Sequence, residues 1–248
     1  GRVKLVSVTA QSNILGVRPD VQTIIQKAHD HGALVCLDAA QAITHGAMDM
    51  QALDCDLLVF SGHKIYGPIG IGVLYGKKEI LETMPPFLGG GGMIQEVTQE
   101  GFLAADVPDK FEAGTLPIAD AVGLAEAIHW LQQFSRKDLH EYQEGLLRYA
   151  CTVLETIPDL ELLGPKDPTK RFGCVSFTIK GVHPHDLTEV VGRKGFCLRA
   201  GHNCAMPLHK ALGVQASTRL SIGIYNTKEE IDGCVEALKD AAKLLKKN

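Results

Sequence analysis

Three short stretches of this chain carry side chains that could do chemistry. Ser61-Gly62-His63-Lys64 follows an apolar run directly. An amine held partly desolvated there would have a lowered pKa and be free to form a Schiff base, although a lone lysine after a strand is far more often a solvated loop residue. Asp38 ends the apolar run Ala-Leu-Val-Cys-Leu-Asp. Open parallel sheets hold their ligands beyond the carboxyl ends of their strands, so a carboxylate here either meets a cation or hydrogen-bond donors, or caps the next helix. The third stretch is Arg199-Ala200-Gly201-His202-Asn203-Cys204-Ala205-Met206-Pro207. Gly201 and Pro207 mark a turn after a strand, which puts Cys204 on a loop. Arg199 and His202 are close enough in sequence to favour its thiolate, and the alternative is an inert surface thiol.

Positioning such groups takes an α/β scaffold, and the hydrophobic pattern supplies one. Strands are expected at Val3–Thr9, Ala33–Asp38, Leu57–Ser61 and Gly72–Tyr75, alternating with helical spacing in a way that predicts a largely parallel sheet. From Asp20 to His31, Val21, Ile24, Ile25 and Ala28 fall on one helical face, and Gly32 supplies the stop. Pro85 to Met93, with four consecutive glycines, reads as a loop or tight turn. Helical patterns follow over Ile118–Phe134 and Lys137–Ile157. A second α/β region has strands near Cys174–Ile179, Phe196–Leu198 and Arg219–Ile224, and a closing helix over Lys228–Lys247 with a basic last turn. A boundary near Gln133–Asp138 divides the chain into domains at 1–133 and 134–248.

Composition narrows the partners. With 248 residues, 45% hydrophobic and 22% charged, the chain can bury a substantial core, and a net charge of −4 gives no electrostatic reason to expect nucleic acid or an acidic membrane surface. No apolar run is long enough to span a bilayer. The seven cysteines form no CxxC pair or zinc-type spacing. Cys36, Cys174 and Cys197 lie in apolar runs, where a thiol behaves as a small hydrophobe. This usage points to a reducing compartment, the cytoplasm. His183 and His185 (Gly-Val-His-Pro-His-Asp) have no further ligands at metal spacing and read as loop and cap residues. The chain opens on Gly1 with an apolar strand already under way at Val3, as a chain that begins within a domain would.

The combination of segments is more specific than any one of them. Pyridoxal-phosphate (PLP) enzymes pair a Schiff-base lysine with an acid against the pyridine nitrogen, and here the acid stands one strand before the lysine. Asp38-Ala-Ala-Gln41, Ser61-Gly-His-Lys64-x-Tyr-Gly-Pro68 and Arg199-x-Gly-His-x-Cys204-Ala-x-Pro207 together resemble the group II (SufS- and CsdA-like) cysteine desulfurases of the class V aminotransferase family. Ser12-Asn13-x-Leu-Gly16, Gly89-Gly-Gly-x-Met-Ile94, Phe111-Glu-Ala-Gly-Thr115 and Arg219-x-Ser-x-x-x-Tyr-Asn226 extend the match from about Ser7 to the C-terminus.

The resemblance implies a fold type I (aspartate-aminotransferase-like) PLP domain, partial to about residue 133, followed by a small α/β domain bearing Cys204. It implies that Lys64 carries PLP and moves the substrate proton, and that Asp38 keeps the pyridine nitrogen protonated. Gln41 would bond the phenolic oxygen, with Ser61 and His63 on the phosphate. Thr115 would reach the phosphate of a neighbouring subunit, hence a homodimer. Arg219, with Asn13 nearby, would clamp the substrate carboxylate, and Arg199 would orient the loop more than touch substrate. Cys204 would take sulfur from L-cysteine, or selenium from L-selenocysteine, releasing alanine and passing a persulfide to a SufE- or SufU-like acceptor for iron–sulfur cluster assembly. A selenocysteine lyase, another class V enzyme in which Cys204 is idle, and an inactive truncated remnant that binds the acceptor are the alternatives. Asn203 stands where this branch usually has a second histidine, and Gly92 where it usually has glutamate. Relative to the family, an N-terminal portion with a ring-stacking histidine and a phosphate-binding turn is absent.

Overall fold

A computed structural model describes residues 2–46 and 48–246. The chain divides into two compact units: Gly1–Ala10 with Asp20–Phe134, and Gln11–Pro19 with Ser135–Asn248.

In the first unit β1 (Leu5–Thr9), α1 (Val21–Asp30), β2 (Leu34–Asp38), α2 (Met50–Leu53) and β3 (Leu57–Ser61) follow in order. Then come β4 (Gly72–Gly76), α3 (Lys78–Thr83), β5 (Ile94–Val97), β6 (Phe102–Ala104) and α4 (Ile118–Gln132). β1, β2 and β3 are parallel neighbours in that order, and β4 closes the sheet antiparallel to β3. α1 is started by Asp20, whose carboxylate accepts the Thr23 N–H, and it buries Ile25 and Ala28. These pack with Val35, Leu37, Ala39, Cys55 and Leu58 into one core cluster.

At the amino end of β3 a buried carboxylate ties the sheet together. Asp56 accepts the Val35 N–H at 2.7 Å, meets His29 Nε2 at 2.8 Å and lies 3.2 Å from Lys77 Nζ. Burial pushes its pKa up, but the hydrogen bonds from His29, Val35 and Lys77 outweigh that and hold it below the usual carboxylate range.

The second unit contains α5 (Arg136–Leu154), β7 (Leu160–Leu162), β8 (Cys174–Ile179), α6 (Pro184–Gly192), β9 (Arg199–Gly201), α7 (Met206–Ala211), β10 (Ser217–Ser221) and α8 (Lys228–Leu245). Its antiparallel sheet has the order β7-β8-β10-β9. α5, α6 and α8 lay Leu147, Leu154, Leu187, Val191, Val235 and Leu238 against Val175, Phe177 and Leu220. α8 opens with a capping box, Thr227 and Glu230 each satisfying the other's backbone N–H. The stretch 11–19 is sewn to β8 and the residues just before it. Ser176 Oγ donates to the Ile14 carbonyl at 2.7 Å, the Phe172 N–H to Gly16, and Gln11 Nε2 to the Phe172 carbonyl. Gly16 has φ +68°, and a Cβ there would stand 2.8 Å from the Phe172 oxygen and 2.9 Å from that of Cys174.

The expected strand at Phe196–Leu198 is not a strand; the strand lies three residues further on. The ladder runs over Arg199–Gly201 against Ser217–Arg219, while Phe196 and Leu198 pack against the core, with the Phe196 ring seated over Gly233 of α8. Burial of the apolar pair was readable, but their backbone is not in the sheet. Cys197 is exposed rather than packed as its apolar run implied. Lys247, the end of the expected last helix, lies outside the described residues.

Candidate active site

The candidate residues fall in two groups, one in each unit. In the first, the parallel register sets Thr9 beside Asp38 and Asp38 beside Val59, so Asp38 ends the middle one of three parallel strands. Its carbonyl accepts the Ala10 N–H at 2.8 Å, and its Oδ1 accepts the Ala40 N–H at 2.9 Å. The carboxylate therefore shapes the chain as it leaves the strand, while the side chain stays exposed. Gln41 follows at the start of a 3-10 turn, Ala42–Thr44.

Ser61 ends β3, and His63 and Lys64 stand on the 3-10 turn Gly62–Ile65 that follows at once. Asp38, Gln41, Ser61, His63 and Lys64 thus gather at the carboxyl ends of two adjacent parallel strands.

The lysine turn is braced on all sides. Thr44 Oγ1 donates to the Lys64 carbonyl at 2.5 Å, locking the two 3-10 turns together. The Gly62 N–H bonds Ile71, and the Gly67 N–H returns to Gly62. A Cβ on Gly67 would meet Leu124 of α4 at 2.9 Å, and one on Gly123 would meet Pro68 at 2.7 Å, so helix and turn approach as closely as glycine allows. The turn ends on Tyr66 at φ 65°, its ring edge-on to Trp130. Thr115 is on a different segment, exposed, just before α4.

In the second unit Cys204 is exposed at the centre of a tight turn between β9 and α7. The Ala205 N–H bonds the His202 carbonyl at 2.9 Å, and the two central residues have φ 47° (Asn203) and φ 64° (Cys204). That sign pattern is the type I′ one, which favours Asn and Gly, so a cysteine in the second position is strained by about 1–2 kcal/mol. Asn13 Nδ2 donates to the Asn203 carbonyl at 2.5 Å, and Arg219 Nη1 donates to the Asn13 carbonyl at 3.0 Å. Asn13, Arg219 and the cysteine turn are therefore brought together by direct bonds.

Arg199 lies directly opposite Arg219 across the β9–β10 ladder. Burial pushes the Arg219 guanidinium below its ordinary pKa, and the Arg199 charge pushes the same way. Arg219 Nε and Asn203 Oδ1 are buried without a hydrogen-bond partner among the described residues. A buried donor and acceptor left open in this way are costly.

His183 caps α6, its ring accepting the His185 N–H and stacking on the His185 ring. Among the described residues no cluster of three or more His, Cys, Asp or Glu side chains could hold a metal ion, and no helix is long and apolar enough to cross a membrane. Sequence reasoning missed Thr44, which fixes the lysine turn, and His209 and Ser217, which meet behind the cysteine turn. Thr44 lies three residues past Gln41, but nothing in the sequence announces its partner twenty residues on.

The arrangement is that of an aminotransferase-type α/β fold with a lysine at a strand end and a separate thiol turn. The class V aminotransferase model matches residues 1–233, and the chain belongs to that family. A probable cysteine desulfurase of Streptomyces coelicolor is 44% identical over 238 residues, covering 96% of this chain and 57% of that protein. The crystal structure of the cysteine desulfurase CsdA (S-sulfonic acid) from Escherichia coli matches with a TM-score of 0.93 and 39% identity, over 98% of this chain and 60% of that one. At 22% identity and a TM-score of 0.82, a C-DES variant with glycine covalently linked to its PLP cofactor shares the fold, over 96% of this chain and 60% of that one. The chain thus spans about three-fifths of the length of the relatives it matches.

Proposed function

We propose that this chain carries the lysine and cysteine of a PLP-dependent cysteine desulfurase. The observation that carries the reading is Cys204, exposed on a strained turn bonded through Asn13 to an arginine with an open, buried N–H.

The donor set at the carboxyl ends of β2 and β3 fits PLP chemically. A carboxylate (Asp38), a carboxamide (Gln41), a hydroxyl (Ser61), an imidazole (His63) and an amine (Lys64) match a pyridinium nitrogen, a phenolic oxygen, a phosphate and an aldehyde carbon. When bound, PLP supplies an electron sink for the bonds at the substrate Cα. Lys64 Nζ would hold the cofactor and afterwards move the proton at that carbon. Asp38 would keep the ring nitrogen protonated, and Gln41 would orient the ring. Arg219 would grip the substrate carboxylate, and the Arg199 charge beside it raises the gain from an incoming anion. Cys204 would then accept the sulfur of L-cysteine as a persulfide, and alanine would leave.

Thr115, exposed before α4, suits contact with a second subunit, so a homodimer belongs to this reading. So do a SufE- or SufU-like persulfide acceptor and the cytoplasm, where seven free thiols persist. The test is mass mapping after incubation with PLP and L-cysteine. A 32-Da increase is expected on Cys204, by sulfur mass, together with alanine release. Cys204→Ser should abolish both. Selenocysteine turnover surviving in that variant would make the protein a selenocysteine lyase, and alanine release from L-cysteine surviving it would overturn the reading.

A further inference from the structure

Behind the cysteine turn lies a buried imidazole that the proposed chemistry does not use. His209, on α7, is 1% exposed. Its Nδ1 lies 2.9 Å from the Ala205 carbonyl and its Nε2 2.9 Å from Ser217 Oγ. A carbonyl only accepts, so Nδ1 donates to Ala205, and Nε2 shares a hydrogen bond with the Ser217 hydroxyl, which can donate or accept. Both nitrogens are used, which is what burial of a polar ring requires.

The two partners stand at particular places. Ala205 is the residue at which the chain leaves the Cys204 turn. Ser217 is paired in the ladder with Gly201, the residue from which the chain runs into that turn. His209 therefore closes a ring: Gly201 to Ser217 through the sheet, Ser217 to His209, and His209 to Ala205. The turn inside that ring has two successive residues at positive φ, one of them the strained Cys204, and left to itself such a segment relaxes. The His202 ring meets His209 edge-on, with ring centroids 5.6 Å apart. An apolar side chain at 209 would fill the space without bridging the two ends.

We propose that His209 is a positioning residue that holds Cys204 in its strained conformation by clasping the two ends of its turn. Its value to sulfur transfer rests on the function proposed above; the clasp itself does not. The test is amide hydrogen exchange on the purified chain without cofactor or cysteine, so a failed desulfurase reading leaves it intact. In His209→Leu the amides of Cys204 and Ala205 should exchange about tenfold faster while those of α8 keep their rates. His209→Asn reaches only toward the Ala205 carbonyl and His209→Gln only toward Ser217, so neither should restore exchange to within about twofold of the parent. Unchanged exchange in His209→Leu, or parent-like exchange in His209→Asn, overturns the proposal. Should His209→Leu not fold, Ser217→Ala decides. Faster exchange confined to the turn supports the clasp, and unchanged or unit-wide faster exchange overturns it.

Discussion

The lysine turn and the cysteine turn are built on the same plan and spend their strain differently. Each follows a strand directly, and each contains a non-glycine residue in the left-handed region. In the lysine turn that residue is Tyr66, two positions past Lys64, with its ring against Trp130. Glycines at 67 and 123 let turn and helix pack without room for a methyl group, and Gly62 does the same within the turn, against Ile71. Lys64 itself is in ordinary 3-10 geometry. In the cysteine turn the strained residue is Cys204 itself, and three side chains, Asn13 from far along the chain and His209 and Ser217 from the next elements, hold it there. The lysine has a long flexible side chain that, on the proposed function, would find its target from a quiet backbone. The cysteine side chain is short, so its backbone must do the aiming.

The comparison can be broken at its foundations first. Asp56 anchors the amino ends of the strands that carry the lysine turn, and Asp56→Asn should cost about 3–5 kcal/mol by chemical denaturation, because His29 and Lys77 lose a buried partner. The same carboxylate makes a pH prediction. Its folded pKa lies below the ordinary 3.8, so its stabilisation is present above about pH 3.8 and is lost as pH falls through the folded value. Acid unfolding followed in parent and Asp56→Asn should show a shallower pH dependence in the variant. Gly16→Ala comes next, at about 3 kcal/mol, since its Cβ meets two backbone carbonyls and its φ is positive. That loss should loosen Asn13 and with it the cysteine turn, leaving the lysine turn unchanged by hydrogen exchange.

Smaller changes separate the two strain strategies. Cys204→Gly should stabilise the chain by about 1 kcal/mol in thermal unfolding, because glycine adopts the left-handed region without the penalty. Tyr66→Gly should not stabilise, since the relieved strain is offset by the lost contact with Trp130. Thr44→Val removes the bond to the Lys64 carbonyl and should cost about 1 kcal/mol or less.

Much of this was legible in the sequence where the information is local. Leu57–Ser61 and Cys174–Ile179 are strands with the bounds that their apolar runs mark, and the loop position of Cys204 follows from Gly201 and Pro207. What was not legible depends on distant partners. Arg199–Gly201 is a strand because Ser217–Arg219 pairs with it, whereas the more apolar Phe196–Leu198 turns into the core. The β5–β6 hairpin, rich in Gln, Glu and Thr around Gly101, has no alternation to announce it. The 11–19 stretch belongs with the second unit through bonds that join it to residues near 172–176, over 150 positions away. His209 looks like any histidine in a short helix until Ser217 is set behind it.

The central claim is that the Lys64 turn is a cofactor-bearing site. Borohydride reduction of the purified chain with equimolar PLP, followed by mass mapping of the modified lysine, tests it most directly. A stoichiometric pyridoxyl adduct confined to Lys64 is the expected result. Labelling spread over the surface lysines, with Lys64 no more modified than the rest, would contradict it.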